Sequence, residues 1–304
     1  MIREYAVNPE VICSSVEILQ RFFSDFGADK GRVIGAIPHQ WYRDIERRIQ
    51  LLGLTTIAKR KCFDNLRSFE KSSLVKRDGK PLDAHTWVEK AKLLNGQEIF
   101  EGILSDQVSV DEKLYDYRNM LESVPADWDI EQTKSVQRDA LLISSAIEKS
   151  LRFSNRPVLF IDPYFDPLHE DSRTPIINCI SSITAGRFGL KKIFIHTCEQ
   201  QDIDYRRRKI RTDIERGMNE CVQPLLPQGF EVELWVWPNN YIHDRFVITN
   251  HVGYAYGHGL SAAQFQDAIQ VNINRISESA RQFEYRRFST AAGRLGDEIF
   301  IVGA

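Results

Sequence analysis

No stretch of this 304-residue chain approaches the roughly 18 consecutive apolar residues that a membrane-spanning helix needs. The opening M-I-R-E-Y-A-V-N-P-E places no apolar core behind a basic tip, so no secretory leader is read there and the expectation is a cytoplasmic protein with no transmembrane segment. Charge of one sign is also missing: 40 basic residues stand against 42 acidic ones, a formal net charge of -2. No global field therefore draws the chain to nucleic acid, and any such binding rests on a local patch. The five cysteines, Cys13, Cys62, Cys179, Cys198 and Cys221, are odd in number and widely spaced, with no C-x-x-C pair. That pattern speaks against a disulfide framework or a zinc site and for reduced, packed thiols, so neither metal nor cofactor is expected. Internal repeats and low-complexity tracts are lacking as well.

What is present is a soluble, globular composition, 42% hydrophobic and 27% charged, on a length that suits one large domain or two ordinary ones. Val11, Ile12, Val16, Leu19, Phe22 and Phe23 recur at helical spacing and predict a helix near 9 to 25. A second is expected over 38 to 53, a third over 86 to 94 closed by Asn95-Gly96, and a fourth over 111 to 121, with a short strand at 98 to 104 and a turn in K-R-D-G-K-P. The break at 123 to 128 divides a mainly helical N-terminal domain, 1–124, from a second domain, 129–304.

In the second domain a long helix is predicted over 130 to 151. It is followed by a strand at 158 to 161, a helix at 174 to 185, a strand at 192 to 197 and a basic helix at 204 to 226. Strands at 231 to 237, 246 to 249 and 254 to 256 come next, then a helix at 261 to 269, an extended 270 to 276, and a last strand at 298 to 302. Helices of crossover length between buried strands make the fold class α/β, a mixed β-sheet with helices on both faces.

Chemistry-bearing residues gather in Y-I-H-D-R-F-V-I-T-N-H-V-G-Y-A-Y-G-H-G-L-S, residues 241 to 261. His243, Arg245, Asn250 and Gly257 fall at His-x-Arg-(four)-Asn-(six)-Gly-His-Gly. This resembles the half-motif of the phospholipase D superfamily, His-x-Lys-(four)-Asp-(six)-Gly-Ser-x-Asn, with Arg245, Asn250, His258 and Leu260 as departures. The order of elements over about residues 130 to 275 is similar to one half of that fold. The resemblance implies metal-independent phosphodiester chemistry. One imidazole attacks phosphorus, a second protonates the leaving oxygen, and cations with amide or hydroxyl donors hold the non-bridging oxygens. Carried onto this chain, His243 is the nucleophile, Arg245 the phosphate-binding cation and His258 an additional donor. Asn250 and Gly257 line the phosphate. Arg can serve as the cation because its planar fork binds phosphate oxygens and stays charged when partly buried.

One copy of the motif implies a homodimer, in which a two-fold axis brings His243 of each subunit to one phosphate. The wording H-D-R with G-H-G-L is also similar to the phospholipase D-like domain at the C-terminus of MIT-domain proteins, which keeps the fold without hydrolysis and binds partners or headgroups. Hydrolysis and binding therefore stand as alternatives.

Four further residues are candidate substrate contacts. Asp162 and His196 close neighbouring strands, where side chains reach a ligand crevice, although Asp before Pro also starts ordinary turns. Arg206 and Arg207 open a basic run that suits a phosphate backbone or an ion-paired surface helix. Basic residues also crowd 43 to 80, as a solvated face or a nucleic-acid patch. The layout resembles components of bacterial antiphage systems. It implies nucleic acid as substrate and a defence-system subunit as protein partner of the N-terminal domain.

Overall fold

The computed structural model describes residues 1–38, 40–77, 84–110, 112–120, 125, 128–200, 209–239, 241–262, 269–289 and 298–303. The chain divides into two compact units, Ile2–Ile130 and Met1 with Glu131–Ala304. Both are α/β.

In the N-terminal unit, β1 (Arg3–Val7), α1 (Pro9–Ile12), α2 (Val16–Asp25), β2 (Arg32–Gly35), α3 (Trp41–Leu51), α4 (Thr56–Ser73), β3 (Leu74–Val75), α5 (Trp87–Gln97), β4 (Gly102–Ser105) and β5 (Leu114–Asp116) follow in order. Helical residues outnumber strand residues, as expected, but the helices flank a five-stranded parallel sheet of order β3-β2-β1-β4-β5. These strands are short and buried on both faces, so they carry no alternation to read. The expected helix over 111 to 121 is instead, where described, β5 and its flanking turns. Leu114, Tyr117 and Met120 are all buried, and their spacing imitates a helical stripe. Ser15 caps α2 and interrupts the single helix expected over 9 to 25. Inside this unit Glu4 and Arg77 form a buried bidentate pair, at 3.0 Å and 2.8 Å, which lets a charged residue sit within a core strand.

The C-terminal unit contains β6 (Thr133–Gln137), α6 (Ala140–Ser145), α7 (Glu148–Arg152), β7 (Val158–Ile161), α8 (Glu170–Thr184), β8 (Lys192–Cys198), α9 (Arg211–Gly217), β9 (Glu231–Trp237), β10 (Phe246–Ile248), β11 (Gly253–Tyr256), β12 (Gln270–Arg275), α10 (Glu278–Ser289) and β13 (Glu298–Val302). The sheet order is β13-β9-β8-β7-β10-β11-β12-β6. β7, β8 and β9 are parallel, and every other pairing is antiparallel. The mixed sheet is thus the expected one, with two local corrections. The helix expected over 130 to 151 is the edge strand β6, then α6 capped by Asp139, then α7. The basic helix expected over 204 to 226 is, where described, α9 continued by a π turn and a 3-10 turn to Leu225. The helix expected at 261 to 269 lies largely outside the described residues.

Chain order gives this sheet a switch point. From β7 the chain steps to β8 and β9 on one side and then returns to place β10 on the other side of β7. The reversal falls at the carboxyl end of β7, where open α/β sheets bind ligands. On one face Tyr254 of β11 bonds to Ser150 of α7. On the other, Leu159, Ile161, Trp237, Ile242 and Ile248 form a core with Phe288 of α10.

Candidate functional site

β7 and β10 pair as Ile161↔Phe246, so Asp162 and Arg245 come next in register, just beyond the last pair. The antiparallel ladder between β10 and β11 runs on from Phe246↔Ala255, and Tyr256 N–H donates to the Arg245 carbonyl at 3.0 Å. Asp162, Arg245 and Tyr256 therefore lie in one row across three strands and, by the period of two along a strand, on one face.

Asp162 is buried. Its Oδ1 accepts from Tyr164 N–H at 2.9 Å and its Oδ2 from Leu260 N–H at 3.2 Å. Burial pushes its pKa up, while those two N–H groups, Arg245 and Lys209 pull it down. Arg245 Nε lies 4.0 Å from Asp162 Oδ1, Nη1 donates to the Gly257 carbonyl at 2.8 Å, and the guanidinium stands 4.6 Å over the Tyr164 ring. Nε is buried without a hydrogen-bond partner among the described residues.

The G-H-G segment is shaped to this pair. Gly259 has φ +76, and a Cβ there would come within 2.5 Å of Asp162 Oδ2 and 3.1 Å of Arg245 Cδ. A glycine is required on both counts. Leu260, which in the resembled motif stands where an amide donor belongs, buries its side chain and offers its backbone N–H to Asp162 instead.

Two further cations support the site. Lys209 Nζ, in a residue only 4% exposed, bonds to the carbonyls of Pro163 at 3.0 Å and Phe165 at 2.8 Å and to Thr197 Oγ1 at 2.9 Å. It thereby clamps the loop that carries Tyr164. Burial lowers its pKa to about 8 against the opposing pull of Asp162, Asp166 and Cys198. Arg138 is buried and donates through Nε and Nη2 to the Ser261 carbonyl. Its pKa is lowered by burial and by Arg245, against Asp162 and Asp171.

His243 and His258 are both exposed, on the loops entering β10 and leaving β11 that Arg245 Nη1 and the Gly257 carbonyl join. Gly257 is exposed beside His258. The structure thus gathers His243, Arg245, Gly257, His258 and Asp162 at one end of the sheet.

The other candidates are placed elsewhere. Asn250 lies at the far end of β10, where its Oδ1 accepts from Ser154 Oγ at 2.8 Å and Asn155 N–H at 3.0 Å. It ties a loop there and does not join the group around Arg245. His196 pairs with Ile161 and so occupies the opposite face from Asp162. There it is fully buried, its Nδ1 accepting from Trp237 Nε1 at 3.1 Å and its ring edge-on to Phe288 at 4.9 Å. Asp244 shares that face, since it acts on Glu284 of α10. Arg206 and Arg207 lie outside the described residues, as does His39.

Sequence reasoning missed Arg138 and Tyr164, and read Lys209 only as part of the basic run from Arg206 to Arg211, a phosphate-backbone contact or an ion-paired surface helix. Arg138 and Lys209 fell inside helices predicted from periodicity, and Tyr164 in a proline-flanked turn. The D-P-Y-F wording at the end of a strand pointed towards Tyr164, and the basic run towards Lys209.

No protein-family model and no curated protein matches the chain. Among solved structures, the DNA-binding archaeal chromatin protein TrmBL2 aligns over 76% of this chain and 80% of its own, at 12% identity and a TM-score of 0.28. Among the described residues no three His, Cys, Asp or Glu side chains converge to hold a metal ion, and no helix is long and apolar enough to cross a membrane.

Proposed function

We propose that the unit spanning Glu131–Ala304 is a phospholipase D-like site acting on nucleic-acid phosphodiesters without a metal. The observation that carries this reading is Arg245, oriented by Asp162, Tyr164 and Gly257 with exposed His243 and His258 on the loops to either side. A guanidinium so held offers its remaining N–H groups to phosphate oxygens with little reorganisation.

In a homodimer, His243 Nε2 of one protomer attacks phosphorus as the bond to the leaving oxygen breaks. The second protomer's imidazolium gives that oxygen its proton. Water then attacks, the same imidazole takes up its proton, and the phosphorus–nitrogen bond breaks. Arg245 neutralises the charge on the non-bridging oxygens and His258 adds a donor. The N-terminal unit docks or senses a defence-system subunit in a bacterial antiphage assembly, a role supported by domain layout alone.

The test is wild type against His243→Ala on single- and double-stranded DNA and RNA in EDTA. Cleavage lost only in the variant supports the enzyme. A second reading, a site that holds phosphodiesters without turnover, is favoured by Asn250, which stands at the other end of β10 from Arg245, tied to Ser154 and Asn155. Binding by wild type without cleavage, weakened in Arg245→Met, selects that reading. Absence of both binding and cleavage refutes the two together.

A further inference from the structure

The ring beneath Arg245 is half exposed, so its place is set less by packing than by the backbone that carries it. Asp162, Pro163, Tyr164 and Phe165 form a turn. Phe165 N–H closes it on the Asp162 carbonyl at 3.1 Å, and Tyr164 N–H bonds to Asp162 Oδ1 at 2.9 Å. Asp and Pro suit its first two positions, because the carboxylate bonds the backbone two residues on and the pyrrolidine ring presets φ.

The carbonyls on either side of Tyr164 turn to one place. Pro163 and Phe165 accept from Lys209 Nζ at 3.0 Å and 2.8 Å, and Thr197 Oγ1 stands 3.3 Å and 3.0 Å from the same two oxygens. Thr197 follows His196, which pairs with Ile161, so Thr197 takes the face of Asp162. Lys209 comes from a different segment, held beyond β8 by an antiparallel bridge to Gln200.

Three acceptors, the third being Thr197 Oγ1 at 2.9 Å, converge on the Lys209 nitrogen, which takes the three N–H donors of an ammonium. The cost is a buried charge, and burial lowers the Lys209 pKa to about 8. At 4% exposure the ammonium lies too deep to touch a ligand. Its effect on the site runs through what it holds.

We propose that Lys209, assisted by Thr197, is a positioning residue for the phosphate-binding cation: it fixes Tyr164 as the floor on which the Arg245 guanidinium lies. The inference rests on the phosphodiester reading and adds to it a residue that meets no phosphate. The floor covers one face of the guanidinium and holds its plane, so the N–H groups not used by Gly257 are already aimed when a phosphate arrives. A cation–π contact of this kind changes affinity roughly two- to thirtyfold.

The experiment measures affinity of the full chain for a fluorescein-labelled single-stranded DNA in EDTA, with His243→Ala present throughout so that the strand stays whole. Tyr164→Ala and Lys209→Met are each expected to weaken binding roughly two- to thirtyfold. Tyr164→Phe leaves it as it was, and Thr197→Val weakens it in the same direction. The effects do not add: in Tyr164→Ala, the further change Lys209→Met or Thr197→Val lowers affinity no more, because both act through the ring. Urea unfolding of each variant sets conditions in which all are folded. Thr197→Val, which keeps the side-chain volume, carries the comparison if Lys209→Met does not fold. A loss that persists undiminished in Tyr164→Ala overturns the inference, as does unchanged affinity in the single variants. In both cases binding lost in Arg245→Met leaves the phosphodiester reading standing. Absence of binding, or binding indifferent to Arg245→Met, overturns both.

Discussion

Asp162 Oδ1 and Arg245 Nε stand 4.0 Å apart just beyond the paired ends of β7 and β10, near enough to attract and too far to share a hydrogen bond. The carboxylate spends its oxygens on the N–H groups of Tyr164 and Leu260, so it anchors two loops while it balances the cation. Arg245 is therefore aimed without being neutralised by direct pairing. This relation separates the roles of the buried and exposed residues and sets the following expectations.

Asp162→Ala removes the carboxylate next to buried Lys209 and partly exposed Arg245. Loss of one partner of a buried charge cluster costs roughly 3–5 kcal/mol, and the two loop N–H groups lose their acceptor as well. Urea unfolding should show a drop of that size. A loss within experimental error would mean that Asp162 is not ionised in the fold.

The two glycines beside His258 should behave differently. At Gly259 the positive φ and the approach of Asp162 both oppose a side chain, so Gly259→Ala should lower stability by at least about 1–2 kcal/mol and weaken phosphodiester binding. At Gly257 a Cβ meets nothing within 4 Å, and Gly257→Ala should be close to neutral in the same unfolding measurement.

Lys209 supplies a pH dependence with a definite sign. Its folded pKa is about 8 against an ordinary 10.5, so between those values the unfolded chain holds a proton that the folded chain has released. Folding is penalised fully below pH 8, and the penalty is relieved as pH rises towards 10.5, at a slope of at most roughly 1.4 kcal/mol per pH unit. The buried thiols of Cys13 and Cys179, pushed up to about 12, act in the opposite sense once the unfolded thiols ionise. The stability difference between wild type and Lys209→Met cancels those contributions and should rise in favour of wild type from pH 8 upward. A difference that is flat in pH would place the lysine's pKa at its ordinary value.

Asn250 should matter for stability and not for ligand. Asn250→Ala removes the acceptor of the Asn155 N–H and one of two acceptors of the buried Ser154 hydroxyl, which keeps the Arg156 carbonyl, at a cost of roughly 1 kcal/mol. Its oligonucleotide affinity, measured below the unfolding transition, should match wild type. A selective loss of affinity with stability intact would return Asn250 to the site.

Much of this molecule was legible along the chain. The run V-L-F-I between prolines, the E-V-E-L-W-V-W stretch and the His243 segment were each read as the strands they are, because local composition and flanking breakers act within a few residues. Of the N-terminal sheet only β4 was legible, in the strand expected at 98 to 104: strands of two to five residues, mostly buried, leave no period to detect, and the spacing of Leu114, Tyr117 and Met120 imitated a helix.

For the site, the sequence by itself determined that His243, Arg245, Gly257 and His258 would lie together, since they are joined by one hairpin whose register follows from its own length. Tertiary structure alone decided the rest. Whether Asp162 or His196 meets Arg245 depends on which face each takes in a sheet assembled from distant segments, and a single step in register sends the first to the Arg245 side and the second into the core behind it. Lys209 and Arg138 reach the same place by long-range packing, which no local pattern encodes.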